Sequence, residues 1–270
     1  MPPLSPPRSP TPFDSTAATL QRLALVSGGS RGLGAALCDA LELRGFHVVE
    51  FSRSAPRPES VRIDLADPIA CAPAVAGLLA TIDPLSLAEL LVINCAGTIE
   101  PIGPIWRKSA GQIGTNLAIN LVGPLTWLAA LLAHFQDSPA RKVLAQIGSG
   151  AARRAHPGLS LYGAAKAGME QFLQVLALEQ SVLPHPFTVT SIDPGAIDTE
   201  MQARLRSAPE ADLPQRDDFA ARQLSGQLSA PKAVAEAIAA YLLAADLACG
   251  SHWRVPRRPP VGTAAPTRAA

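Results

Sequence analysis

Tyr162 and Lys166 stand four residues apart in LYGAAKAGMEQFL, and Ser149 precedes the tyrosine by thirteen. Four residues is slightly more than one helical turn, so a phenol and an ammonium share one helix face. A free phenol titrates near pH ~10 and holds its proton too tightly for easy exchange at neutral pH. A fixed positive charge beside it favours the phenolate and makes tyrosine a usable general acid or base. Tyr-xxx-Lys pairs also occur on helices that do no chemistry, so the assignment leans on what lies upstream.

Upstream the chain reads RLALVSGGSRGLGAALCDALELRGFHVVEFSR. Arg22–Val26 predicts a short apolar strand, Ser27–Gly34 a glycine-rich turn, and Ala35–Leu43 an amphipathic helix that Gly45 ends. His47–Phe51 is the next strand. Gly28, Gly32 and Gly34 are spaced G-x-x-x-G-x-G, and small residues between strand and helix let backbone N–H groups approach a pyrophosphate at a helix N-terminus. Further strands are expected at Val61–Ile63, Leu90–Ile93, Lys142–Ile147, Thr188–Ile192 and His252–Val255. Helices are expected at Ile69–Ala80, Ser109–Phe135, Ser160–Val182 and Pro231–Leu243. This alternation predicts an α/β fold: a single Rossmann-type doubly wound parallel sheet flanked by helices, with ligands at the carboxyl ends of the strands.

Taken in order, the glycine turn, Asn94-Cys95-Ala96-Gly97, Asn120, Ser149, Tyr162-xxx-Lys166 and Pro194-Gly195 resemble the short-chain dehydrogenase/reductase family from about Arg22 to Val255. The resemblance implies an oxidoreductase with Asn120, Ser149, Tyr162 and Lys166 as its catalytic residues. Ser149 would bond the substrate oxygen, and Tyr162 would exchange a proton with it. Lys166 would lower the tyrosine pKa and hold the nicotinamide ribose, and Asn120 would orient a relay water. The alternative for Asn120 is a helix-interior amide bonding a neighbouring strand, but within this constellation the relay is the expectation. The implied cofactor contacts are Gly28, Ser30, Arg31, Gly32, Leu33 and Gly34 in the turn, then Asp64 and Leu65 at the adenine. Asn94, Ala96 and Gly97 follow the central strand, and Pro194, Gly195, Ile197 and Thr199, with Tyr162 and Lys166, lie toward the nicotinamide. Asp67, before Pro68, suits a helix N-cap better than Asp64 does.

Charge bears on the choice of cofactor. NAD-preferring relatives place a carboxylate after the second strand, where it repels a 2′-phosphate. Here that position is Ser52, followed by Arg53, and Arg31 adds a second cation. Paired guanidinium donors suit phosphate, so NADP(H) is expected; Glu50 falls two residues too early to serve. Cys95 replaces the usual second asparagine of the Asn-Asn-Ala-Gly motif, removing one amide that braces the central strand. NCAGTIEPIGPI and DPGAIDTEMQ resemble the sepiapterin reductase and benzil reductase branch, which reduces vicinal dicarbonyls with NADPH. The end GSHWRVPRR carries Arg254 and no acid to anchor a pterin. Ile99, Pro101, Ile102 and Trp106 would wall an apolar pocket, with Met201–Ala230 as a flexible cover. Arg153, Arg154 and His156 read as exposed loop cations or as contacts for an anionic substrate. A 3-oxoacyl thioester or sugar reductase, or a non-catalytic cofactor-binding regulator, are the rival readings.

The 270 residues suffice for one substantial core. A net charge of +1 gives no electrostatic case for nucleic acid or an acidic membrane. Cys38, Cys71, Cys95 and Cys249 lack metal or disulfide spacing, so free thiols in a reducing, cytoplasmic setting are expected. No metal, no leader, no membrane and no bilayer-spanning apolar run are expected; the partner is a small-molecule carbonyl, and the assembly a homodimer or homotetramer. The Pro-rich residues 1–19 are read as a disordered extension, 20–256 as the NADP-binding domain, and 257–270 as a flexible tail.

Overall fold

The computed structural model describes residues 21–256; the readings of 1–19 and 257–270 lie outside them. Seven parallel strands form one sheet in the order β3-β2-β1-β4-β5-β6-β7. They are β1 (Gln21–Ser27), β2 (His47–Ser52), β3 (Ser60–Arg62), β4 (Leu87–Asn94), β5 (Arg141–Ile147), β6 (Phe187–Asp193) and β7 (Ser251–Arg254). The central strands are near-continuous apolar runs such as LALV and LLVI, as sheets covered on both faces require.

One face is covered by α2 (Pro68–Leu79), α4 (Gly123–Phe135) and α5 (Ser160–Gln180), which bury Val75, Leu128, Leu131, Phe135, Met169 and Leu173 against it. The other face meets α1 (Gly32–Glu42) and α8 (Pro231–Leu242) through Leu37, Leu41, Val234, Ile238 and Leu242. Local signals set the ends. Asp67 caps α2, accepting from the Ala70 N–H at 3.0 Å ahead of Pro68. The buried Lys142 closes the far end of α4, its ammonium donating to the carbonyls of Phe135, Gln136 and Ser138 at 3.1, 2.6 and 2.7 Å.

Four expectations change. The helix expected over Ser109–Phe135 is α3 (Ala110–Leu117), a π turn over Ala118–Val122, and α4. Together these make a 26-residue run long and apolar enough to cross a bilayer, contrary to the expectation that none exists. In the fold it is a sheet-flanking helix whose inward face carries buried Asn116 and Asn120. The segment Met201–Ala230 is not a loose cover: it holds α6 (Glu200–Ser207) and α7 (Arg216–Leu224). Leu205, Ala208, Leu213 and Phe219 from it pack with Ile99, Leu159 and Tyr162, and that burial orders it. Finally, α1 begins at Gly32, inside the glycine turn rather than after it.

Candidate active site

Four loops at the carboxyl ends of β1, β4, β5 and β6 meet in one cleft. The first is the glycine turn, whose Gly28 N–H donates to Phe51 O at 2.8 Å, fastening it to β2. Gly28 has φ +72°, and a Cβ there would lie 2.7 Å from the backbone of Ala96. A Cβ on Gly34 would overlap the Gly28 carbonyl oxygen. The turn is thus packed to the limit on its inner side. Outward, Arg31 and Gly32 are exposed, Ser30 is half-buried, Leu33 is buried, and no side chain caps the first turn of α1 from Arg31. A free helix N-terminus behind a glycine turn is the donor set a dinucleotide pyrophosphate requires.

Beneath the cleft a polar chain runs across the sheet. Ser27 Oγ donates to Asn94 Oδ1, Asn94 Nδ2 donates to Gln146 Oε1 at 2.6 Å, and Gln146 Nε2 donates to Ile147 O at 2.6 Å. The side chain of Asn94 is therefore spent on bracing β1, β4 and β5. Gln146 was not singled out from sequence; only sheet packing reveals it. Cys95, beyond Asn94, has its thiol pushed up to about 11 by burial, with the Lys166 charge pulling the other way.

The catalytic candidates converge around Gly97. A Cβ there would stand 3.1 Å from Asn120 Oδ1 and 3.6 Å from Lys166 Nζ, so glycine lets the β4 loop pass between them. Asn120, buried in the π turn, accepts from the Thr98 N–H at 2.9 Å and donates to Thr98 O at 2.8 Å. Insertion of a π turn re-aims a side chain within a helix and is frequent at functional sites. Lys166, also buried, donates to Ile147 O at 2.9 Å, and its ammonium lies 5.7 Å from the Tyr162 ring centre. Burial pushes it down to about 8, opposed by the neighbouring Cys95 and Glu170. Burial raises the Tyr162 phenol above its ordinary range, the hydrogen-bonded Ser149 draws it back, and Cys95 and Asp193 add to the rise. The Ser149 hydroxyl thus supplies a downward pull on the phenol. Ser149 lies two residues past β5 and accepts from the Ala151 N–H at 3.2 Å.

Other predicted residues are placed as follows. Asp64 accepts from Ala66 N–H at 3.0 Å in a tight turn, and Leu65 is buried against Gly123. Gly195, at φ +75°, donates its N–H to Asp193 Oδ1 at 3.0 Å, next to half-buried Pro194. Ile197 is buried and bridges to Ser229, and Thr199 opens α6 with its methyl 3.4 Å from a Cβ built on Gly32. Ser52 accepts from Ala55 N–H at 3.1 Å, and Arg53 beside it is exposed. Arg31 is ion-paired with Glu200 of α6, a partner not foreseen from sequence. Ile99 and Ile102 pack with Tyr162, but Trp106 is 80% exposed on a 3-10 turn and does not wall the pocket. His156 lies half-buried beneath the α7 cover, its Nδ1 bonded to Gln215 at 2.9 Å. Burial, then Arg222 and Arg154, lowers its pKa.

A glycine turn at a helix N-terminus, beside a half-buried serine and a buried tyrosine and lysine, defines a nicotinamide-dependent oxidoreductase. The short chain dehydrogenase model matches residues 22–210, and the chain belongs to that family. A benzil reductase ((S)-benzoin forming) of Bacillus cereus is 28% identical over 246 residues, spanning 87% of this chain and 99% of that protein. One from Bacillus subtilis (strain 168) is 30% identical over 226 residues, spanning 82% and 93%. The crystal structure of KRED1-Pglu enzyme shares the fold at TM-score 0.72 and 24% identity, covering 86% of this chain and 100% of its own. The protein is accordingly an oxidoreductase of CH–OH and C=O groups.

Proposed function

We propose that this protein is an NADPH-dependent carbonyl reductase acting on vicinal dicarbonyls, with benzil-like diketones as the best class. The observation that carries this reading is the grouping of Asn120 and Lys166 around Gly97, with Tyr162 beside Lys166 and Ser149 bonded to Tyr162, under an apolar cover. The two Bacillus relatives are named for benzil reduction, which supports the substrate class. When bound, the cofactor supplies a hydride to the carbonyl carbon.

The chain's own residues do the rest. Gly28, Ser30, Arg31, Gly32, Leu33 and Gly34 would hold the pyrophosphate, and Ser52 and Arg53 the 2′-phosphate. Asp64 and Leu65 would flank the adenine, and Asn94, Ala96 and Gly97 the floor of the cleft. Pro194, Gly195, Ile197 and Thr199, with Lys166, would hold the nicotinamide riboside. Tyr162 keeps its proton at neutral pH because burial raises its pKa, so it can donate to the carbonyl oxygen as negative charge develops there. Ser149 steadies the same oxygen from the other side. The cover of α6 and α7 brings Leu205, Leu213 and Phe219 over the phenol and excludes water.

A second, electron-withdrawing carbonyl beside the first eases hydride addition, and an apolar cover favours aryl groups. A homodimer or homotetramer in a reducing, cytoplasmic setting completes the proposal. It is supported by exposed Val175 and Leu178 on α5, with exposed Val182 just past its end, and by four free thiols.

The test follows absorbance of NADPH and of NADH with benzil, sepiapterin and an acetoacetyl thioester. Benzil with NADPH should give the highest kcat/KM. A clear preference for the thioester or for sepiapterin overturns the substrate class, and equal use of NADH overturns the cofactor choice. Ser52→Asp should weaken NADPH far more than NADH.

A further inference from the structure

One turn beyond Lys166, α5 carries Glu170, so Tyr162, Lys166 and Glu170 share one helix face. The Glu170 side chain is only 11% exposed, and three other elements converge on it. Ser191 on β6 donates its hydroxyl at 2.6 Å. Arg153, in the turn that follows Ser149, pairs with it at 3.2 Å, and His252 Nδ1 on β7 stands 3.5 Å away. A Cβ on Gly148 would come within 2.9 Å of Glu170 Oε1 and 3.1 Å of Ser191 Oγ, so the Ser149-bearing turn rests directly on the carboxylate. On its far side Glu170 lines a small surface cavity with Arg153, Ser191 and His252.

Lys166 needs such a neighbour. A buried ammonium whose hydrogen bond goes to a neutral carbonyl is costly, and an adjacent carboxylate offsets that cost. The groups that face it are Cys95 at the end of β4 and Tyr162 and Glu170 on α5, with Asp193 of β6 acting on the phenol. The Cys95 thiol is pushed up to about 11 and stays neutral in the physiological range. Glu170 is therefore the standing negative charge on Lys166.

We propose that Glu170 is a positioning residue of the active site: its carboxylate, held by Ser191 and shared with Arg153 and His252, keeps Lys166 an ammonium beside Tyr162 and seats the Ser149 turn. This rests on the reading of Lys166 as the partner of the Tyr162 phenol. Reduction needs that pair protonated, so turnover falls as pH rises through the Lys166 midpoint, and Glu170 holds that midpoint up.

The chain has four lysines, Lys108, Lys142, Lys166 and Lys232, so lysine labelled with ¹³C at Cε gives a spectrum simple enough to titrate. Lys166→Arg assigns the signal. The native midpoint should lie near 8. Glu170→Gln should lower it by about 0.5 unit or more, and the alkaline limb of kcat should move with it while KM for NADPH stays within about two-fold. Glu170→Asp, which keeps the charge, should stay nearer the native value than Gln does. If Glu170→Gln does not fold, Arg153→Gln on the exposed side of the pair should raise the midpoint. An unmoved Lys166 in Glu170→Gln, equal shifts for Asp and Gln, or no rise in Arg153→Gln overturns the proposal. The lysine titration needs no substrate. A native protein that reduces no carbonyl would remove the reductase reading and leave the titration result standing.

Discussion

Replacing Asn120 by leucine separates two roles that sequence alone leaves open, relay of a proton and bracing of the β4 loop. The change removes both side-chain bonds to Thr98, at 2.9 and 2.8 Å, and strands a backbone N–H and a C=O. Each buried backbone group left unpaired costs about 1–3 kcal/mol. Thr98 is half-buried, so water recovers part of that, and the lower half of the range applies. Two groups at about 1–2 kcal/mol each give a loss of about 2–4 kcal/mol, a large share of the total stability of an ordinary domain. For a chain of this size that is a fall in Tm of about 5–12 °C. Because the same loop passes between Asn120 and Lys166 at Gly97, activity should fall with stability. Calorimetry and urea unfolding read the first effect, NADPH oxidation the second. An Asn120→Leu protein as stable as the native one but inactive would refute the bracing argument and leave proton relay as the whole role.

Tyr162→Phe removes only the phenol oxygen, so turnover should fall by about 10²–10⁴-fold while NADPH binding, read by fluorescence, stays near native; a variant keeping a tenth of the native rate would show another proton donor. Burial pushes the thiols of Cys38 and Cys95 up to about 12 and about 11 and raises that of Cys71. A mapped iodoacetamide reaction at pH 7.5 should therefore label the exposed Cys249 first, and early labelling of Cys95 would contradict the packing. Lys142→Met takes three donors from the carbonyls at and just past the end of α4 and should cost about 2–4 kcal/mol in urea unfolding, against no change if the ammonium is dispensable.

The parts of this structure legible in the sequence are those that backbone geometry dictates. Gly28 and Gly34 tolerate no Cβ, so the glycine turn announces itself, and continuous apolar runs mark the doubly covered strands to within a few residues. Tyr162 and Lys166 share a helix face by spacing alone. The π turn at Ala118–Val122 was hidden because the helical pattern of Ser109–Phe135 barely changes its period when one residue is inserted. The cover helices α6 and α7 were hidden for the opposite reason. EMQARLRS and RDDFAARQL are polar, and each has one residue in the core, Leu205 and Phe219. Their order comes from contacts with Ile99, Leu159 and Tyr162, which no local pattern contains. Gln146 and Glu170 likewise gain meaning only once β5 and α5 are set against their neighbours.

Arg31 shows the same limit at the mouth of the cleft. Its place in the glycine turn argues for phosphate, yet it pairs with Glu200, 169 residues away, which also holds Arg204 at 2.6 Å. Arg204 and Arg31 keep the Glu200 carboxyl below its ordinary range. All three side chains are about half exposed or more, so the pairing is screened and easily exchanged for a stronger anion. A phosphate competing for Arg31 would displace a carboxylate rather than water, and α6, which opens beside Gly32, would lose one tie to the turn. Glu200→Gln should therefore tighten NADPH by about two- to five-fold and leave NADH within about two-fold, the modest scale of exposed pairs. Titration of both cofactors at low and high salt reads the difference, which should shrink as salt screens Arg31. Equal tightening of NADPH and NADH would mean that Glu200 acts through general charge or through α6, and that Arg31 does not read the phosphate.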